Sequence, residues 1–300
     1  MVLWMEAMVT GAAMQPSYYY SPLYDVLYGM LYSMPRVAVV VGMVCVVAQG
    51  AWFNITLSDF KLSGTNSLLP MLLYIVAMSW NRNALTITPM VLAMFPILVA
   101  CRQLLSHGAT QLPVSKNFNA AFLVGIAAMC HLPMVGFVLP MLIVFILYKM
   151  YNWRDIAVSL LGLAAPYVAL LTYAFLDDKL EYSCILMLHD LTTITTRVEH
   201  IATLPTVTNI IFVVVTLVAL LGMLAGARDN MVHQRINNAV LCLPLLVAFG
   251  ALFNGVLFPP DTQALAIPFA FMTSQWLNTE RRRNWINEVA LWIILISATV

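Results

Sequence analysis

Between Asn117 and Leu176 the chain has only three charged residues, and all of them, Lys149, Arg154 and Asp155, fall in one elbow. The rest of that stretch is apolar runs broken by His131-Leu132-Pro133. A surface facing water cannot be built from such material. The whole chain repeats the pattern: 9% charged, 62% hydrophobic, mean hydropathy +0.89. Soluble domains carry about 25% charged residues. The outer surface is therefore expected to face lipid, and the bilayer is the first partner the sequence names. The useful ruler is about 20 apolar residues per spanning helix.

On that ruler the expected fold is all-α, a polytopic transmembrane bundle of about 10–11 membrane segments. The first stretch, Met1 to Met14, is apolar but short. Residues 15–36, QPSYYYSPLYDVLYGMLYSMPR, hold six Tyr and three Pro. Tyr favours the membrane–water boundary, so a loop with a short interfacial helix from about Pro22 to Ser33 is expected. Spans are expected over Val37–Leu57, Asn66–Trp80 and Ala84–Leu105. Two shorter helices follow, about Ala120–Cys130 and Met134–Lys149, then a span over Arg154–Leu176. Residues 177–204 form an acidic loop in which LEYSCILMLHDL has the look of an amphipathic helix. Further spans are expected over Thr206–Ala227, Ala239–Phe258, Thr262–Leu277 and Trp285–Val300. This gives a membrane module over 1–176, the loop over 177–204 and a helical group over 205–300.

Basic residues set the orientation. With the Lys149–Arg154 elbow in the cytoplasm, that side also receives Lys61, Arg102, Lys116, Arg228, Arg235 and the triplet Arg281–Arg283. Arg36, Arg82, Lys179 and Arg197 fall outside. The Tyr-rich and acidic loops then share the external face. The expected location is the cell inner membrane, multi-pass. Net charge +1 argues against nucleic acid.

The chemistry-bearing signatures of soluble enzymes are missing. There is no P-loop, His-Glu-x-x-His, nucleophile elbow or EF-hand loop in the sequence. Its five His have no metal-ligand spacing, so no metal site is expected, and the sequence does not name a cofactor. His131, at the reversal, is read as a hydrogen-bonded cap. The five Cys are widely spaced and are read as small buried hydrophobes. Gln49, Gln103, Asn209 and Asn254 are uncharged polar groups suited to joining helices. Gly222 and Gly226 form a GxxxG that permits close packing.

What remains is an order of parts: a membrane segment, an external loop with an interfacial helix, several spans on short turns, then a long external loop after the 154–176 span. This order resembles the GT-C superfamily of membrane glycosyltransferases. The resemblance implies a polyprenyl-phosphate-linked sugar as donor and a catalytic carboxylate on the first external loop. Asp25 is the candidate and Glu6 the second. Asp25 also suits a plain charge at the start of the interfacial helix. A donor phosphate would need an external cation: Arg82 first, then Arg36, Lys179 and Arg197. In sequence, the stretches SPLYDVLY (21–28), NSLLPMLLYIVAMS (66–79), FNAAFLVGIAAM (118–129) and YNWRDIAVSLLGLAAPYVALLTYAFL (151–176) resemble an uncharacterised family of multi-pass inner-membrane proteins of Bacteroidota. Two readings outside catalysis stand beside the transferase: a scaffold or subunit of an envelope-assembly complex with membrane protein partners, and a facilitator for a lipid or small solute.

Overall fold

The computed structural model describes residues 2–17, 19–62, 67–80, 85–106, 115–147, 153–193, 214–221, 238, 240–242, 263–277 and 291–292. Among them the chain is all helical, with no strand. The helices are α1 (Val2–Thr10), α2 (Pro22–Leu31), α3 (Pro35–Asp59), α4 (Leu69–Met78), α5 (Pro89–Leu105), α6 (Ser115–Cys130), α7 (Val138–Leu147), α8 (Trp153–Leu176), α9 (Leu180–Thr193) and α10 (Ala266–Leu277). A 3-10 turn, Leu132–Phe137, joins α6 to α7. Proline opens four of the helices, α2, α3, α4 and α5, within their first two positions. There its missing N–H costs nothing and its fixed φ already suits the helix.

Among the described residues, only α3, at 25 residues, and α8, at 24, are both long and apolar enough to cross a bilayer. The spans expected at 66–80 and 84–105 correspond to helices of 10 and 17 residues. The expected interfacial helix is α2, and the amphipathic LEYSCILMLHDL is helical as α9. The segments expected over 206–227, 239–258 and 285–300 lie largely outside the described residues, as does the GxxxG at Gly222.

The helices run alternately between two ends. At one end, the Arg102 guanidinium pairs with Asp59 at 2.6 Å and lies over the Trp52 ring. Gln49 bonds Val91 further along, and Gly42 lies against the backbone of Thr86 and Ile87. These three contacts advance together in number, so α3 and α5 run parallel. α4 folds back along α3. Lys116 Nζ reaches Ser106 Oγ at 3.2 Å, pinning the start of α6 to the end of α5.

Helices α6 and α8 also run parallel, and they are closer than side chains normally permit. Asn117 Nδ2 donates to Asp155 Oδ1 at 3.0 Å. Gly162 lies on the Phe118 carbonyl and Gly125 lies against Pro166 and the Leu163 carbonyl. A Cβ at either position would meet those atoms at 2.6–2.8 Å. Small residues allow such approach between membrane helices. The Asn117–Asp155 bond also explains why α6 starts five residues before the expected Ala120. Its polar opening, Ser115 to Asn119, is held helical by a buried partner across the interface rather than by apolar periodicity.

The core gathers on α4, α5, α6 and α10: Leu73, Tyr74, Met90, Met94, Ile97, Phe269 and Phe271 are almost wholly buried. Gln49, 1% exposed, is the polar group at its centre. Its amide donates to the Val91 carbonyl at 2.7 Å and its oxygen accepts from Tyr74 Oη at 3.1 Å. One side chain thus ties α3, α4 and α5. Gln263 donates to the Met78 carbonyl at 2.8 Å and Gln275 to that of Leu62, which lays α10 along α4 in the opposite sense. α1 is attached through Trp4 Nε1, which donates to Ser79 Oγ at 2.8 Å.

Candidate functional site

The end of the bundle opposite Arg102 and Lys116 carries the Tyr-rich loop, α2, the His131 reversal and α9. Local bonds shape the loop first. Ser17 and Ser21 hydroxyls share a hydrogen bond at 2.8 Å, and both bond the Tyr19 carbonyl. Tyr24, fully buried, donates to the Gln15 carbonyl at 2.7 Å and to that of Ile87 at 3.3 Å. Burial pushes its pKa well above the ordinary tyrosine value, so the hydroxyl stays a donor. From this anchor Tyr28 and Tyr32 follow at helical spacing, with ring centroids 6.0 and 5.2 Å apart.

Two neighbouring loop residues then reach different elements. The Tyr19 ring meets His131 edge-on at 5.8 Å. His131 occupies the cap position of the 3-10 turn but makes no side-chain cap bond, which corrects the expected role. Its backbone completes the turn, accepting from Met134 N–H at 3.0 Å, while the ring packs on the loop. Tyr20 crosses to α9. Its N–H donates to the Asp190 carboxylate, and its hydroxyl donates to Ser183 Oγ at 3.3 Å. His189 Nδ1 lies 3.5 Å from the other Asp190 oxygen. Asp190 is 7% exposed.

Under this junction is a small cavity of about 10 Å³, lined by Tyr20, Met129, Leu132, Tyr167, Leu170 and Met187 among others. It has room for about one water molecule. The Tyr167 hydroxyl is enclosed and has no partner among the described residues.

The residues singled out in the sequence are dispersed around this junction. Asp25 is exposed on the first turn of α2. Partial burial lifts its carboxyl above the usual range, opposed by a hydrogen bond from the Ser21 backbone. Glu6 is exposed on α1, one turn before the helix end, where its carbonyl accepts from Thr10 Oγ1 at 2.9 Å. Arg36 is exposed at the start of α3. Lys179 is exposed in the α8–α9 turn and already paired with Asp177 at 2.6 Å, which holds its ammonium above the usual range. No ion pair joins Asp25 or Glu6 to Arg36 or Lys179 among the described residues. Arg82 and Arg197 lie outside those residues.

Sequence reasoning passed over Asp190, Ser183 and Asp155. The signal for the first two was present: Ser183 and Asp190 are seven apart on α9, one polar stripe opposite Tyr182, Ile185 and Leu188. No group of three or more His, Cys, Asp or Glu suited to a metal occurs among the described residues. Comparison with protein families, with curated proteins and with solved structures gives no match. The site is therefore defined by its own geometry.

Proposed function

We propose that the chain is a polytopic inner-membrane protein whose working surface is the external end bearing the Tyr-rich loop and α9. The membrane reading is supported by what α8 leaves uncovered. Ile156, Leu160, Leu161, Val168, Tyr173, Phe175 and Leu176 are all exposed on it, and only 17% of its most apolar window is buried. Apolar surface of that extent in water would be a site of aggregation; in lipid it has no such cost. At 24 residues α8 is about 36 Å long, enough for a hydrocarbon core of about 30 Å.

At that surface we read a GT-C-like glycosyltransferase that moves a sugar from a polyprenyl-phosphate donor. The observation that carries it is the Tyr20–Asp190 bond. It joins the first external loop to the helix that follows the 153–176 span, the two parts from which the resemblance expects a site to be built. In this reading the Asp25 carboxylate takes the proton of an acceptor hydroxyl as the oxygen bonds to the anomeric carbon. The polyprenyl phosphate leaves with the electron pair of the broken bond, and Arg36 or Lys179 balances its charge. A second reading, a scaffold within an envelope-assembly complex, is favoured by the uncovered face of α8, which suits another membrane helix as well as lipid.

The test is a deletion strain whose lipid-linked glycans are profiled by mass spectrometry. A transferase predicts a lost or truncated glycan, restored by the wild-type gene and not by Asp25→Asn. An unchanged profile in the deletion overturns the enzyme. A partner that co-purifies equally with wild type and Asp25→Asn supports the scaffold. Stability does not confuse this comparison. The folded protein raises the Asp25 pKa, so ionisation at neutral pH opposes folding, and Asp25→Asn is expected to melt no lower than wild type.

Sidedness has its own measurement. In a cysteine-free background, Asp178→Cys is expected to react with an impermeant maleimide in intact cells. Ser58→Cys, at the Arg102 end, is expected to react only after lysis. The reverse pattern inverts the topology, and labelling of both in intact cells removes it.

A further inference from the structure

We infer that α9 is a lid over the Tyr167 cavity, fastened to the Tyr-rich loop through Asp190 and hinged at the turn Asp177–Lys179. Amphipathic helices usually turn their polar face to water and their apolar face to the protein. α9 does the opposite. Ser183 and Asp190, 4% and 7% exposed, face inward, while Tyr182, Ile185 and Leu188 are 63%, 57% and 63% exposed. The polar stripe is buried because it grips Tyr20 twice, through the Tyr20 amide and the Tyr20 hydroxyl. The outward face mixes those apolar side chains with exposed Glu181, His189 and Thr192, a composition suited to headgroup depth.

The attachments of α9 are uneven. At its start it follows α8 through a tight turn in which Asp178 adopts φ 53 and Lys179 bonds back to the Ala174 carbonyl at 2.9 Å. Such element-end positions absorb hinge rotation. Near its other end, the bond to Asp190 crosses 170 residues of sequence. Between the two, Met187 forms one wall of the cavity, Tyr20 another, and Tyr167 and Leu170 of α8 a third. Release of Asp190 would therefore lift Met187 from Tyr20 and open the cavity that Tyr167 lines; the Tyr167 hydroxyl is enclosed and has no partner among the described residues. A charge-assisted bond is a suitable fastener, because it is stronger than a neutral one yet can be exchanged for water.

The lid rests on the external placement of α9 proposed above only for its contact with the bilayer. Its opening can be read in purified protein, so the two ideas fail separately. Ala128, 1% exposed, lines the cavity. With the five native cysteines replaced, Ala128→Cys is titrated with methyl methanethiosulfonate and the rate compared with that of Asp178→Cys, an exposed reference. The lid predicts slow reaction in the parent. Asp190→Ala is expected to speed it about tenfold or more, the equilibrium weight of one charge-assisted bond. Asp190→Asn, which keeps an acceptor oxygen but loses the charge, is expected to fall between the parent and Asp190→Ala. Tyr20→Phe and Ser183→Ala each remove the second bond and are expected to give the same smaller rise, with no further rise in the double variant. The inference is overturned if Ala128→Cys reacts as fast as the exposed reference in the parent. It is equally overturned if Asp190→Ala, melting like the parent, changes the rate less than about twofold. Should Asp190→Ala fail to fold, Tyr20→Phe decides: an unchanged rate rejects the lid.

Discussion

Gly162→Val is expected to be among the most damaging single changes in the described part of the chain, and Gly29→Ala to be harmless. At Gly162 the added Cβ alone would sit 2.6 Å from the Phe118 carbonyl oxygen and 3.2 Å from Ala121 Cβ. The first of these is backbone and cannot swing aside. The helices α6 and α8 must separate, which also strains the Asn117–Asp155 bond at their starts. Overpacking of this kind costs about 1–3 kcal/mol where side chains can adjust, and the upper end applies where backbone is struck. Gly125→Ala is expected to behave similarly, because its Cβ meets Pro166 at 2.6 Å and the Leu163 carbonyl at 2.8 Å. At Gly29, inside α2, nothing lies within 4 Å of the added atom. There alanine gains about 1 kcal/mol of helix propensity. Thermal melts in detergent, followed by size-exclusion recovery, compare the three. Equal melting of Gly162→Val and wild type would mean that α6 and α8 are not in contact as described.

The second large effect is expected at Gln49. Gln49→Leu keeps the volume roughly constant but removes both bonds at once. Tyr74, fully buried, loses the acceptor for its hydroxyl, and three helices lose their common tie. Leaving a buried hydroxyl unpaired costs about 1–3 kcal/mol. Individual bonds between membrane helices average less, about 0.6 kcal/mol, because the unfolded chain in the membrane finds partners too. A loss of about 2 kcal/mol is therefore expected for Gln49→Leu. The diagnostic result is non-additivity. Tyr74→Phe should cost stability in wild type and little or nothing on top of Gln49→Leu, a coupling of about 1 kcal/mol. Strict additivity would show that the two side chains do not share a bond.

Much of the helical layout was legible without coordinates. The helix at 22–31, the 24-residue helix at 153–176 and the helix at 180–193 follow from Tyr and Pro placement, apolar length and a charge-poor composition. These are local properties, carried by the residues of each segment. Helix bounds failed where a distant partner intervened. α6 reaches back to Ser115 because Asn117 meets Asp155.

The site was less legible for the same reason. Asp25 stood out because it is the one acid in a Tyr-rich loop, yet the structure brings no cation to it among the described residues. Asp190 did not stand out, since an acid in an acidic loop looks like solvated charge. Its burial depends on Tyr20, 170 residues earlier. His131 illustrates the point in one residue: its position at a reversal predicted a cap, while its ring is engaged by Tyr19.

By itself, then, the sequence determined that the described residues are all helical and that two of their helices are long and apolar enough to cross a bilayer. It also settled where proline and tyrosine interrupt that chain. Composition and spacing control these outcomes because transfer free energy and backbone hydrogen bonding act within a segment. Tertiary structure alone decided which helices run parallel, which glycines must stay glycine, and which carboxylates are buried. Those outcomes depend on pairs of groups far apart in sequence, and a buried polar group is tolerated only where folding supplies its partner.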